Sequence, residues 1–190
     1  MSARPLRLGF HLERGMRVGL YGGSFNPAHE GHAHVAEAAL KRLRLHRVIW
    51  LVSPQNPLKP AQGKDGPAAI ERRAASARQV ARGPFMIVSD AEARLGTTYT
   101  VDTLRALKRR FPGVRFIWIM GSDNLTIFHR WRDWRTIAKL APIAVVDRPG
   151  YTARARFSPA GRRLRLVHVH APLNFASSTA LRARARVDAI

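Results

Sequence analysis

Gly22-Gly23-Ser24-Phe25-Asn26-Pro27-Ala28-His29-Glu30-Gly31-His32 stands between an apolar run, Val18-Gly19-Leu20-Tyr21, and an amphipathic run over residues 34–43. The pattern is strand, glycine-rich turn, helix. The first N–H groups of a helix lack internal partners and its dipole places positive potential there, so such a junction binds anions. His29 and His32 are three residues apart, which lets both imidazoles face one ligand. Gly31 between them allows a phosphate close to the backbone. Asn26-Pro27 makes a rigid turn by itself. Metal ligation and simple capping are the other readings of the pair, but a metal would want further ligands and Glu30 is the one nearby carboxylate. An unperturbed imidazole titrates near ~6.5, and adjacent phosphates favour its charged form. No Gly-Lys-Ser/Thr follows the glycines, so this is not a Walker loop.

Outward from the turn, residues 17–21 read as a buried strand, and the following helix sets Val35, Ala36, Ala39, Leu40 and Leu43 at 3–4 spacing. Residues 47–52, Arg-Val-Ile-Trp-Leu-Val, form the kind of near-continuous apolar strand that parallel sheets require. Residues 53–67 read as a long loop with four prolines and Lys59. A helix is expected over 67–82, a strand over 85–89, a turn over 93–98 and a helix to about 111. Strands are expected over 114–120, 143–146 and 164–169, a helical stretch around His129 to Trp134, a loop over 147–163, and a last helix over 180–186. Strands alternate with helices without an internal repeat. The expected fold class is therefore α/β: one domain built on a doubly wound, Rossmann-like parallel sheet with helices on both faces. In such sheets ligands bind beyond the carboxyl ends of the strands. The turn after Tyr21, Ser122-Asp123 after Met120 and Ser177-Ser178-Thr179 after the last strand all follow such ends.

The 190 residues suffice for one domain with a real core, and 46% of them are apolar. No apolar run approaches the roughly 18 residues that span a bilayer. The first fifteen residues lack an apolar signal region and a small-residue cleavage site, so the cytoplasm is the expected location. With no cysteine, disulfides, thiolate nucleophiles and Cys-bearing zinc sites are excluded. The net charge is +21, carried mostly by arginine. The arginines are scattered and lack the aromatic interleaving of single-strand binders. A genome-wide bias towards arginine and alanine and a small polyanionic substrate are the two readings of that charge, and no nucleic-acid partner and no membrane are expected.

Ser177, Ser178 and Thr179 place three hydroxyls at a helix start, and Arg182 follows Ser178 by four residues, on the same face. Hydroxyls, free N–H groups and a guanidinium fork suit a polyphosphate; an ordinary N-cap is the plainer reading. Asp123 could accept hydrogen bonds from ribose hydroxyls or cap a helix. Trp131 could stack on a heterocycle. Trp50 and Trp118 read as core. Glu92, His46, His168 and His170 carry no pattern.

These residues resemble the nucleotidylyltransferases that share a His-x-Gly-His motif. The turn through His32 matches their first motif, and Ser177-Ser178-Thr179-Ala180-Leu181-Arg182 is similar to their second. Within that superfamily the match is nearest to the bacterial nicotinate-nucleotide adenylyltransferases. Thr98-Tyr99-Thr100-Val101-Asp102-Thr103, Gly121-Ser122-Asp123 with Trp131 eight residues later, and Asn56-Pro57-Leu58-Lys59 resemble their further segments. Asn26 departs from the Asp often found there, and Phe175-Ala176 from the usual Ile. The resemblance covers residue 16 to about 186. It implies residues 16–190 as a nucleotidylyltransferase domain and leaves 1–15 as an N-terminal extension, disordered or arising from the choice of start site. It implies adenylyl transfer from ATP to nicotinate mononucleotide, in NAD biosynthesis. By resemblance, His29, His32 and Arg182 act in catalysis. Gly22, Gly23, Ser24, Phe25, Lys59, Ser177, Ser178 and Thr179 hold ATP. Thr98, Tyr99, Thr100, Asp123 and Trp131 shape the mononucleotide side. Mg²⁺ arrives with the ATP phosphates rather than on protein ligands. A nicotinamide mononucleotide or phosphopantetheine acceptor, or a basic nucleic-acid-binding module, is the alternative.

Overall fold

Six strands lie side by side in the order β3-β2-β1-β4-β5-β6, every adjacent pair parallel. They are β1 (Arg17–Gly23), β2 (Arg47–Val52), β3 (Met86–Ser89), β4 (Arg115–Gly121), β5 (Ile143–Val146) and β6 (Val167–Val169). This computed structural model describes residues 8–54, 67–172, 174 and 176. Lys59, Ser177, Ser178, Thr179, Arg182 and the helix expected over 180–186 lie outside the described residues.

Successive strand residues point to opposite faces, and both faces are covered, which is why the strands are apolar throughout. Leu20, Leu51, Trp118 and Met120 pack on one face with Leu104, Leu107, Phe128 and Ile137. Tyr21, Val48, Trp50 and Ile119 pack on the other with Val35, Ala36 and Ala39 of α1 (Glu30–Arg42) and Ala74 and Ala77 of α2 (Pro67–Val80). The first face is covered by α3 (Ala91–Leu95), α4 (Thr100–Arg110), α5 (Ser122–Ile127), α6 (Trp134–Leu140), α7 (Thr152–Arg156) and α8 (Pro159–Arg163). The order reverses between β1 and β4, whose register sets Tyr21 beside Ile119. That reversal opens a crevice at the carboxyl ends of these strands.

Several expectations are corrected. Residues 8–15 do not form a loose extension: Leu8 and Leu12 are 3% and 6% exposed within the core, because burying two leucines offsets the ordering of the segment. The turn expected over 93–98 begins one short helix earlier, in α3. The loop expected over 147–163 contains α7 and α8. Ser158 caps α8 by accepting from Gly161 N–H, with Pro159 in its first turn. The helical stretch before Trp134 is broken into α5, a single 3₁₀ turn over Phe128–Arg130, and α6. The last strand is three residues long rather than six.

Candidate active site

The turn after β1 is held by its own helix start. His29 is the N-cap of α1, and its Nδ1 accepts from the Gly31 backbone N–H at 3.1 Å. His32 Nδ1 in turn accepts from the His29 backbone N–H at 3.2 Å. This reciprocal capping satisfies two helix-start donors with two imidazoles. It also settles the tautomers: with both Nδ1 atoms accepting, each neutral ring carries its proton on Nε2. The rings lie with centroids 3.8 Å apart. Burial, with the Arg148 guanidinium, pushes His29 down to about 4. Burial, then His29 and Arg148, push His32 down to about 3. The expectation that phosphates favour charged rings thus meets the opposite bias in the protein alone: low dielectric and neighbouring positive charge both disfavour imidazolium.

Phe25 adopts a left-handed backbone, φ 47°, and its buried ring packs on Tyr21, His32 and Trp50. It supports His32 from behind and faces a smaller cavity of about 310 Å³ with Asn26, Pro27 and Arg72. The main cavity, of about 580 Å³, is lined by Gly22, Gly23, Ser24 and His32 on one side and Thr98, Tyr99, Thr100 and Trp131 on another. Asp123 also lines it, in the first turn of α5. A volume of this size suits a nucleotide-sized ligand. Gly22 allows the turn to meet the cavity wall, since a Cβ there would stand 2.7 Å from the Trp118 ring. Trp118 is therefore core and wall together, edge-on to Trp131 at 6.2 Å. Arg132 stacks over the Tyr99 ring at 4.7 Å.

Three cavity residues were not legible from pattern. Arg148 follows β5; its Nη2 donates to the Ala176 carbonyl at 2.7 Å and its Nη1 lies 3.9 Å from Asp123. Its own backbone N–H donates to the buried Ser122 hydroxyl at 2.9 Å. Ser53 follows β2, its N–H donating to Gly23 O. Glu92 follows β3 and is 2% exposed. All three obey the rule of strand carboxyl ends that singled out Asp123. The rule extended to β2, β3 and β5 is the signal that finds them. Among the described residues no three His, Asp or Glu side chains are placed to hold a metal ion, and no helix is long and apolar enough to cross a membrane.

The family model described as cytidylyltransferase-like matches residues 20–184. A protein of Caulobacter sp. (strain K31) named "Probable nicotinate-nucleotide adenylyltransferase" is 56% identical over 188 residues, covering 89% of this chain and 98% of that protein. The chain belongs to the nicotinate-nucleotide adenylyltransferase family. A second member, from Parvibaculum lavamentivorans and of the same name, is 58% identical over 160 residues, covering 84% of this chain and 78% of the relative. The fold matches the solved structure of Plasmodium falciparum nicotinic acid mononucleotide adenylyltransferase complexed with NaAD. The TM-score is 0.69 at 16% identity, covering 88% of this chain and 83% of that one. The six-stranded parallel sheet agrees with that fold.

Proposed function

We propose that the protein transfers the adenylyl group of ATP to nicotinate mononucleotide, forming nicotinate adenine dinucleotide and pyrophosphate. The observation that carries this reading is the close, tilted pair of neutral Nε2–H imidazoles, of which His32 lines the cavity that also receives the Thr98–Tyr99–Thr100 segment, Asp123 and Trp131. A mononucleotide phosphate oxygen attacks the α-phosphorus of ATP. The new O–P bond forms as the bond from that phosphorus to the bridging oxygen breaks, and the electron pair leaves with pyrophosphate. The attacking phosphate is already anionic, so no base is needed; positioning and charge stabilisation carry the step.

In this reading His29 and His32 donate to phosphate oxygens as negative charge shifts toward the leaving group. Gly22, Gly23 and Ser24 give the phosphates room against the backbone. Arg148 adds a cation at the same mouth, and Lys59, Ser177, Ser178, Thr179 and Arg182 complete the grip on the triphosphate. Asp123 accepts from a ribose, and Trp131 with the Thr98–Thr100 segment receives the pyridine nucleotide. Mg²⁺ enters as Mg–ATP, held by phosphate oxygens and water. The character of the reaction, a step of soluble nucleotide metabolism, supports a cytoplasmic location.

The deciding experiment is pyrophosphate release with ATP and each of nicotinate mononucleotide, nicotinamide mononucleotide and phosphopantetheine. Turnover is expected with nicotinate mononucleotide above the amide. Silence with it, alongside turnover of another acceptor, would overturn the assignment. A salt-sensitive shift of duplex DNA at near-physiological salt would instead support a nucleic-acid role.

A further inference from the structure

Glu92 is a buried carboxyl that the proposed reaction does not use. Leaving water costs a carboxylate several kcal/mol unless hydrogen bonds compensate, and burial pushes this one up to about 7. Its surroundings show what it does. Oε2 accepts from Ser53 Oγ at 2.8 Å and Oε1 from Thr103 Oγ1 at 3.1 Å. Its backbone carbonyl accepts from Thr97 N–H at 2.9 Å. Thr103, fully buried, also lies 2.9 Å from Thr97 Oγ1 and 3.3 Å from Tyr99 O. On the far side, Ser53 N–H donates to Gly23 O at 3.0 Å. Arg73 Nη1 donates to both Ser53 O and Ser24 O, at 2.8 and 2.7 Å. One unbroken hydrogen-bonded path thus runs from the Gly23–Ser24 turn through Ser53 and Glu92 to the segment before α4.

From this path we infer that Glu92 is a positioning residue: it ties the Thr98–Tyr99–Thr100 segment to the phosphate turn and so sets how well the acceptor nucleotide is bound. The inference rests on the reading of that segment as the acceptor side. A hydrophobic residue at 92 would cover the same space but leave two hydroxyls, the half-buried Ser53 and the fully buried Thr103, without this acceptor. The carboxyl group alone offers two acceptor oxygens on one short side chain. It spans two elements that share no strand pairing. Thr103 has alternative acceptors in Tyr99 O and Thr97, so the network accommodates Glu92 with or without its proton.

The test is steady-state kinetics of Glu92→Ala, Glu92→Gln and Glu92→Asp on the full chain, with Tm recorded for each. Glu92→Ala is expected to raise KM for nicotinate mononucleotide about tenfold or more, with KM for ATP moving less than about twofold. Glu92→Gln keeps the reach and one acceptor and is expected to recover most of that loss. Glu92→Asp, one methylene shorter, recovers little. Equal rises in both KM values, or no rise for the acceptor, would overturn the inference. If Glu92→Ala does not fold, Thr103→Val breaks the same path one bond further on, and the same KM split decides. Wild-type turnover is measured first. If the enzyme uses another acceptor, the assignment of the acceptor fails, while the KM split on the acceptor actually used still judges Glu92.

Discussion

The Arg148 guanidinium donates to the Ala176 carbonyl at 2.7 Å, and so ties the end of β5 to the chain just before Ser177. Its charge also bears on both histidines. Arg148→Ala is expected to lower kcat/KM for ATP at least about tenfold, close to 1.4 kcal/mol of transition-state stabilisation. The same change removes a positive neighbour, so both imidazoles should titrate higher while burial still keeps them below ~6.5. Arg148→Lys keeps the charge and should leave the titrations low while losing the two-pronged contact. Kinetics with an NMR titration of the histidines separates these outcomes.

His29 and His32 owe their tautomers to the helix start. In the ligand-free protein at pH 7, ¹⁵N NMR should find both rings neutral with the proton on Nε2. A folded pKa depressed below its unfolded value means stability falls as pH drops from ~6.5 toward the folded values. Measured by urea unfolding, the stability of the wild type relative to His32→Ala should fall between pH 7 and pH 5, since Glu92 titrates alike in both proteins and cancels. The same variant should lose a factor of ~10² in turnover, as loss of an oxyanion-type donor does.

Gly31 allows the Ala176 carbonyl its place: a Cβ on residue 31 would stand 2.6 Å from that oxygen. In Gly31→Ala the carbonyl must move and the Arg148 contact with it. Helix propensity gains up to about 1 kcal/mol from the exchange, so Tm should fall little while KM for ATP rises about tenfold. A variant with unchanged KM for ATP would show that the approach has no bearing on the nucleotide.

The raised carboxyl of Glu92 makes stability fall with pH. Its ordinary value near 4.5 becomes about 7 in the folded chain. The folded state therefore holds the proton more tightly between those limits, and stability is lost as pH rises through them. Glu92→Gln removes this penalty. Relative to wild type it should gain stability between pH 4.5 and 7 and hold the gain above, by up to about 3 kcal/mol. The histidines titrate alike in both proteins and cancel. Urea unfolding at pH 5 and pH 8 measures the difference; a constant difference would refute it.

The strands and the switch point were legible because parallel strands are apolar on both faces and helices show a 3.6-residue period. β2 and β5 fall at the expected residues. The His-x-Gly-His turn was legible because its parts are neighbours in sequence. Arg148 was not, being one arginine in a chain crowded with them, and its meaning depends on Asp123 and Ala176, which only folding brings near. Glu92 was hidden for the same reason: its partners lie 39 and 11 residues away. The short helices α7 and α8 carry no periodic stripe; buried Ala155 and Ala160, and packing against α5, hold them in place.

The Leu8 carbonyl accepts from Ser89 Oγ at 2.7 Å, and Ser89 Oγ accepts in turn from the N–H of Ala91, the residue before Glu92. Gly15 N–H donates to Gly113 O. A chain expressed from Met16 would keep all six strands and both histidines, yet lose the anchor beneath the short helix that carries Glu92. Such a protein should melt at a lower temperature and bind the acceptor nucleotide less tightly, with the ATP side little changed. Where a cloner places the start codon would then decide how well this enzyme holds one of its two substrates.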